Sequence, residues 1–250
     1  MLTKALARLH GYLETGYFVA SRLSALADRQ LRLELHRQVH RMGVSAVLPV
    51  LAMALVVGLI AVNQLTALLG PQSEQGQTLL FYMLVVEAGP VLCALLMIAR
   101  TSSSVAAELA IMHLHHEFQA LYRMRVPAAN FLLVPKVVAY AMVLPALALV
   151  FQAVSATAGS LAFALWHQQD VGFAMSQMLA FADAGLFLAS MLKCAVTGAV
   201  LGVIACYHGC SEPQSSQAIS DASVHTVGAS LVAAFLIDLG FAVMAVGLKG

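Results

Sequence analysis

Charged residues are scarce in this chain: Asp, Glu, Lys and Arg make up 10% of its 250 residues, whereas soluble domains carry about a quarter. Hydrophobic residues make up 61%, and the mean hydropathy is +0.86. This composition excludes an ordinary soluble globular protein and predicts an integral membrane protein. Because one crossing needs about 20 residues, the length allows about five or six transmembrane helices in one membrane domain.

Several motifs are also absent. The chain has no Gly-Lys pair and therefore no Walker A phosphate loop, so any ATP hydrolysis would require another subunit. It has no G-x-S-x-G motif or paired aspartates of the kind that intramembrane hydrolysis would use. We therefore predict a non-catalytic chain that binds no cofactor. The net charge of +1, with basic residues concentrated near the start, argues against a nucleic-acid partner.

Cysteine and histidine give no strong indication of a metal site. The cysteines show no C-x-x-C spacing and lie in or beside apolar segments, so we expect small buried hydrophobic side chains without disulfide or metal. His113 and His116 supply only two ligands on one helix face, and a solvated or partner-facing helix is the preferred interpretation. The four cysteines are Cys93, Cys194, Cys206 and Cys210.

Residues 1–42 form a basic leader that contains seven of the thirteen Lys and Arg residues. Its apolar residues recur at three- and four-residue intervals between Lys4 and Arg8, which is typical of an amphipathic helix lying in a membrane interface. A helix packed on a soluble partner is the alternative. The basic charge places the leader on the cytoplasmic side in either case. The apolar positions are Leu2, Leu6, Leu9, Leu13 and Tyr17.

The remaining residues, 43–250, are predicted to form one membrane domain with five spans. Basic residues mark the leader and the segment 100–136 as cytoplasmic, and alternation then places 208–223 on the same side. The long run 131–166 is interpreted as one span followed by a helix on the outer surface that ends near Trp166. The apolar runs cover residues 44–69, 79–99, 131–166, 185–207 and 224–248.

The second run carries unexpected charges, since residues 87–112 read EAGPVLCALLMIARTSSSVAAELAIM. Glu87 and Arg100 stand roughly 20 Å apart along one helix, and Arg100 and Glu108 roughly 12 Å, so neither pair should make contact. Gly89-Pro90 is expected to weaken the helical hydrogen-bond ladder. The small residues after Arg100 favour a closely packed helix junction at the inner face of the membrane.

Lys193 and Asp238 lie in the last two runs. Counted from the ends of antiparallel spans, Lys193 lies about 12 Å deep and Asp238 about 21 Å from the opposite side, which gives similar depths. We therefore predict that the two side chains pair in the outer half of the bundle. Snorkelling of Lys193 to the membrane surface is the alternative.

Taken together, these motifs resemble the MlaE/YrbE family of ABC transporter permeases, which work with MCE-domain proteins on lipids. The family signature ELGPV, then GR with small residues, then AAE, is similar to Glu87-Ala-Gly-Pro-Val-Leu, Ala-Arg100 and Ala107-Glu108-Leu. Further similarity lies at Arg37-Gln38-Val39 and at Cys206-Tyr207-His208-Gly209. The resemblance covers about residues 37–240.

The resemblance implies an all-α integral membrane fold with an interfacial N-terminal helix and five spans. A cytoplasmic coupling helix within about 101–126 would dock on a separate ABC ATPase, which would use the ATP. Two permease chains, identical or different, would enclose a phospholipid-binding cavity that opens toward an MCE-domain protein. Such a chain belongs in the bacterial cytoplasmic (inner) membrane with a cytoplasmic N-terminus, and the system would maintain the lipid asymmetry of the outer membrane.

Site residues follow from the motifs and the resemblance in three groups. The lipid-path candidates are Gly58, Val62, Gln64, Leu65, Leu68 and Glu87. The gating or structural candidates are Gly89, Pro90, Arg100, Glu108, Lys193 and Asp238. The candidates for ATPase coupling are His116, Glu117, Ala120, Leu121, Arg123, Met124 and Arg125.

The predicted coupling surface departs from the family pattern, because acidic residues of that pattern are replaced and bases such as Arg123 and Arg125 are added. This indicates an altered ATPase surface or a heterodimer of two unlike permeases. Two other functions remain in competition. An ion-coupled secondary transporter would use Glu87, Lys193 and Asp238 as a proton relay, and a membrane scaffold would transport nothing.

Overall fold

The computed structural model describes residues 2–22, 29–69, 74–123, 128–167, 184–210 and 216–247, together with residues 172 and 176. Within these ranges the regular secondary structure is helical and no strand is present. The helices, numbered in chain order, are α1 (Leu2–Ser21), α2 (Arg29–Leu69), α3 (Glu74–Met97), a π-helix (Ile98–Ser102), α4 (Ser103–Leu114), α5 (Glu117–Arg123), α6 (Ala128–His167), α7 (Ala184–Gly209) and α8 (Ser216–Gly247).

Five stretches in the described part of the chain are long and apolar enough to cross a membrane. This confirms the predicted all-α fold with five spans. One span each comes from α2, α6, α7 and α8, while α3, the π-helix and α4 together form the second span. The stretches are Arg29–Gln64, Glu87–Leu114, Leu132–Trp166, Phe187–Gly209 and Ile219–Met244.

The predicted leader, residues 1–42, is divided between two helices. α1 ends at Ser21, and α2 begins at Arg29 and continues through Pro49 to Leu69. The predicted boundary after residue 42 therefore lies inside a continuous helix. The physical reason is that residues 29–42 contain no Gly or Pro and are rich in Arg, Leu, Gln and Glu, which favour helix, so nothing ends the helix before the apolar run begins.

The predicted helix on the outer surface is not a separate element. α6 continues for 40 residues through Pro135 and Pro145 to His167, so the span and the predicted surface helix form one continuous helix. Proline is tolerated inside such helices because neighbouring helices and local adjustments satisfy the freed backbone groups. At 1.5 Å per residue, α6 is about 60 Å long.

The irregular turn of the second span also differs from the prediction. The helix continues through Gly89 and Pro90, both buried, and its irregular turn is the π-helix at Ile98–Ser102, which contains Arg100. A Cβ atom at Gly89 would lie 3.0 Å from Cδ1 of Phe151, so α6 packs directly against the turn that contains Pro90. The helix then continues beyond Arg100 to Leu114 instead of ending near Arg100.

α6 is the central helix of the bundle. Its most extensive contact is with α2, followed by α7, and it also packs against α3. Tyr140, Lys136 and Phe151 of α6 are among the largest fully buried side chains in the described part of the chain. Burial of these side chains on one helix makes α6 the support on which the other spans are positioned.

Two glycines allow the closest approach of other helices to α6. A Cβ atom at Gly58 of α2 would lie 2.5 Å from the carbonyl oxygen of Ser155, and one at Gly198 of α7 would clash with the carbonyl oxygen of Tyr140. Backbone atoms cannot rotate away as a side chain can. Small residues at these positions therefore set the distance between helices, as is common in membrane bundles.

We expect Gly58→Ala to destabilise the protein by about 1–3 kcal/mol, because the added methyl group forces α2 away from α6. The matched control is Gly43→Ala in the same helix, where a Cβ atom would meet nothing within 4 Å. Thermal unfolding in detergent, followed by circular dichroism, measures both changes. The Tm should fall for the first variant and stay or rise for the second, and equal effects would contradict the role of Gly58 in packing.

Candidate functional site

Lys193 forms an ionic cluster that connects three helices. Its Nζ in α7 lies 2.8 Å from Oε2 of Glu87 in α3 and 2.6 Å from Oδ1 of Asp238 in α8. The Lys193 side chain is only 8% exposed, whereas that of Glu87 is 64% exposed. One ammonium group therefore joins two carboxylates from different spans, and the formal charge of the cluster is −1.

The predicted contact between Lys193 and Asp238 is confirmed by the 2.6 Å distance. Glu87 is a third member, which the sequence grouped with Lys193 and Asp238 only in the proton-relay alternative and for which no ion pair was predicted. The same depth count could have found it, because Glu87 lies near the outer start of the predicted second span, as Lys193 does in the fourth.

Glu108 forms a second ionic cluster of opposite composition. Its Oε1 lies 3.0 Å from Nζ of Lys136 in α6, and its Oε2 lies 3.1 Å from an Nη atom of Arg41 in α2. The Lys136 side chain is 2% exposed, so this ammonium group depends on Glu108 for neutralisation. Here one carboxylate of α4 joins two cations from two other helices.

The two clusters lie at opposite ends of the second span. Glu87 and Glu108 are 21 residues apart, which corresponds to about 32 Å of helix and matches the roughly 30 Å thickness of a bilayer's hydrocarbon core. The π-helix lies between them, where Oη of Tyr140 lies 3.4 Å from Oγ of Ser102. Ion pairs thus connect the second span to other helices toward both of its ends, and the contact between Tyr140 and Ser102 adds a neutral hydrogen bond between the clusters.

The predicted lipid-path residues occupy different environments. Gly58 is buried against Ser155, and Val62 belongs to a small cluster of buried apolar residues with Val85. Gln64 is exposed. Leu65 and Leu68 lie in α2, but their side chains lie outside the described residues. The structure therefore brings Gly58 and Val62 into helix contacts, and a role in lipid passage stays a prediction for the group.

The predicted coupling segment contains a separate short helix. α4 ends at Leu114, the chain turns at His116 with a φ of 58°, and α5 follows over Glu117–Arg123. Phe118 packs against the core and lies 5.4 Å from the His113 ring, measured between ring centroids. His116, Glu117, Ala120 and Arg123 are exposed, while Met124, Arg125 and the Leu121 side chain lie outside the described residues.

The cysteines are free thiols, with Cys93, Cys194 and Cys206 buried and Cys210 partly buried. In the part of the chain that the structure describes, no three His, Cys, Asp or Glu side chains are grouped as metal ligands. The thiols therefore contribute to packing between the spans.

A large apolar groove was not predicted from the sequence. It has a volume of about 1270 Å³ and lies between α1, α6, α7 and α8. Tyr12 and His225 lie at its polar end, where Oη of Tyr12 is 2.8 Å from Nε2 of His208. The groove depends on how α1 packs on α7, which no local sequence pattern specifies.

The five apolar helices and the paired charges within them define a multi-pass membrane protein. A sequence model of the family described as Permease MlaE matches residues 35–244. The chain therefore belongs to the MlaE permease family, which confirms the resemblance inferred from the motifs.

Several named proteins are similar to the chain. The intermembrane phospholipid transport system permease protein MlaE of Haemophilus influenzae is 29% identical over 208 residues, which cover 82% of this chain and 78% of that protein. A probable ABC transporter permease protein of Rickettsia bellii is 24% identical over 150 residues, 60% of this chain and 58% of that protein. The chloroplastic protein TRIGALACTOSYLDIACYLGLYCEROL 1 of Arabidopsis thaliana is 26% identical over 156 residues, which cover 61% of this chain and 43% of that protein.

We expect Lys193→Met to destabilise the protein by about 2–4 kcal/mol, because two carboxylates lose their common cation. Glu87 is largely exposed, so this loss is smaller than it would be for a fully buried group. Adding Glu87→Gln and Asp238→Asn to the same chain should recover part of the loss. Thermal unfolding of the single and triple variants measures this coupling.

The matched control is Arg37→Met, since Arg37 is 79% exposed and lies 3.3 Å from Glu34. Its effect should be within about 1 kcal/mol. If the loss of stability in the triple variant equals the sum of the losses from the three single substitutions, the coupling within the cluster is contradicted.

Proposed function

We propose that this chain is the membrane-embedded, non-catalytic permease subunit of an ABC-type lipid transport system. Its membership of the MlaE permease family carries this proposal. Further support comes from the Haemophilus influenzae relative, whose name states intermembrane phospholipid transport. The predominantly apolar spans offer surfaces that suit acyl chains.

ATP would be hydrolysed by a separate ATPase chain, because this sequence has no Gly-Lys pair for a phosphate loop. The proposed docking surface is α5, with the exposed Glu117, Ala120 and Arg123. Its length of seven residues and its position beside α4 and α6 suit a rigid contact that moves with the bundle. This chain would bind no cofactor of its own.

A second permease chain, identical or different, would complete the lipid-binding cavity. α2 and α8 support this part of the proposal, because only 28% of the residues in an apolar stretch of the first span and 6% in one of the fifth are buried within the single chain. Their exposed apolar side chains include Leu48, Val56, Phe235 and Leu239. A partner chain and membrane lipid would share these faces, and an MCE-domain protein would receive or deliver lipid at the outer side.

The proposed location is the bacterial cytoplasmic (inner) membrane, with the N-terminus in the cytoplasm. The basic residues of α1 and of the first turns of α2 support this orientation, since Lys and Arg are enriched in cytoplasmic segments. In this orientation Lys193 lies toward the outer side and Glu108 toward the ATPase. The system would exchange phospholipid between membranes and maintain the lipid asymmetry of the outer membrane.

Movement would pass from α5 to the lipid path through the ionic clusters. α5 follows α4, whose Glu108 is paired with α2 and α6. The same span continues to Glu87, which is paired with Lys193. We infer that closure of the ATPase favours one arrangement of these spans over another, because it makes different contacts with α5 in the two states.

A second candidate function is an ion-coupled secondary transporter, and one observation favours it. Glu87, Lys193 and Asp238, the residues of the predicted proton relay, lie in direct contact. A relay of this kind would be driven by a proton gradient without ATP. Lipid transfer from reconstituted vesicles therefore distinguishes the candidates, because collapse of the gradient would stop the relay and ATP removal would stop the ABC transporter.

We expect Arg123→Glu to lower both ATPase association and ATP-driven lipid transfer about tenfold, because charge reversal at a docking surface weakens a complementary contact. The purified transport complex, reconstituted in vesicles with a fluorescent phospholipid, provides both measurements. Arg32→Glu is the control, since Arg32 is an exposed arginine of α2 away from α5. Transfer that proceeds without ATP, or equal losses in both variants, would contradict the proposal.

A further inference from the structure

A polar recess lies between the first part of α2 and the π-helix with the start of α4. Its volume is about 210 Å³. A buried water occupies about 30 Å³, so the recess is large enough for a phosphate group and too small for a whole phospholipid. Two guanidinium groups and four polar side chains line it: Arg41, Arg100, Gln38, Ser45, Thr101 and Ser104.

The positive charge at this recess is incompletely neutralised. Arg41 is paired with Glu108, but the same carboxylate is also paired with Lys136. Arg100 makes no hydrogen bond or ion pair with any residue that the structure describes. Arg41 therefore shares one carboxylate with Lys136, and Arg100 adds a further positive charge that no described carboxylate neutralises.

The π-helix gives Arg100 its unusual position. Ile98, Thr101 and Ser102 of this turn are buried, whereas Arg100 is exposed toward the recess side of the bundle. A π-helical turn is rare and is frequently found at functional sites, because the extra residue redirects the side chains around it. The wider turn thus presents a guanidinium group between the large apolar residues that end α3 and the small Ser103 and Ser104 that begin α4.

The recess lies toward the predicted cytoplasmic end of the bundle. Arg100 precedes Glu108 by eight residues, about 12 Å of helix, and residues 38–45 of α2 form the opposite wall. Basic pockets between spans on the cytoplasmic side bind phosphorylated head groups. Arginine suits this chemistry because its planar guanidinium group binds two phosphate oxygens at once.

We propose that this recess binds a phosphate group, with Arg100 as the main ligand, Arg41 as the second cation and the hydroxyl group of Ser104 as a hydrogen-bond donor. Two sources share this chemistry: the head group of a phospholipid in the inner leaflet and free inorganic phosphate. The site goes beyond the proposed function, since it is separate from the predicted lipid path; Ser45 and Val62 are 17 residues, or about 25 Å, apart along α2.

The test uses the purified full-length chain in an uncharged detergent, without ATPase. Dihexanoyl phosphatidylglycerol and inorganic phosphate are each titrated, with dihexanoylglycerol as the probe that lacks phosphate, and the rise in Tm reports binding. Saturable stabilisation by a phosphate-containing probe is expected. A response to phosphatidylglycerol alone identifies a lipid head group, a response to inorganic phosphate identifies a free anion, and either result supports the site.

Variants then assign the binding to the recess. Arg100→Gln should weaken it about tenfold, which corresponds to about 1.4 kcal/mol, and Arg100→Lys should weaken it less because the charge is kept. Arg32→Gln, an exposed arginine of α2 outside the recess, should bind like the unmodified chain.

No stabilisation by either phosphate probe, or equal binding by the Arg100 and Arg32 variants, would overturn the proposal. If the unmodified chain binds no phosphate probe and Arg100→Gln lowers association with the ATPase in a separate binding measurement, the proposal is also overturned and Arg100 is assigned to a protein contact. The folded state of each variant is checked by its Tm without ligand. A negative result here does not contradict ATP-driven lipid transfer by the complex, so the phosphate site and the proposed transport function can be rejected independently of each other.

Discussion

An ammonium group removed from water costs several kcal/mol unless oxygen atoms replace its solvent. Lys193 meets this requirement with carboxylates from two other helices, so α3, α7 and α8 must lie where both oxygens reach one nitrogen atom. Glu108 imposes the corresponding requirement on α2, α4 and α6, with one anion between two cations. All five spans are therefore tied to an ionic cluster, and the second span belongs to both.

Close packing complements these charges. Gly58 and Gly198 bring α2 and α7 against the backbone of α6, whose large side chains fill the centre of the bundle. Apolar contact alone does little to specify which helices associate in a membrane, because lipid is as apolar as the side chains. Close backbone packing at the glycines and ion pairs in the two clusters supply this specificity, and together they determine which helices are neighbours.

Much of the fold followed from composition and periodicity, because a bilayer leaves a sequence few ways to cross it. The five spans and the contact between Lys193 and Asp238 were predicted in this way. The partners of Glu108 were not, since Arg41 and Lys136 are 67 and 28 residues away and their approach depends on how helices cross. The π-helix at Arg100 and the continuous α6 depend on tertiary packing around a turn, which propensities alone do not describe.

The length of α6 has a mechanical consequence. A helix with 40 residues, about 60 Å along its axis, is twice as long as the hydrocarbon core is thick. A change of about 5° in its tilt displaces one end by about 5 Å relative to the other. The buried Lys136 and the contact with α5 lie near one end, and Trp166 lies near the other. A small angular change therefore becomes a displacement as large as one helical turn.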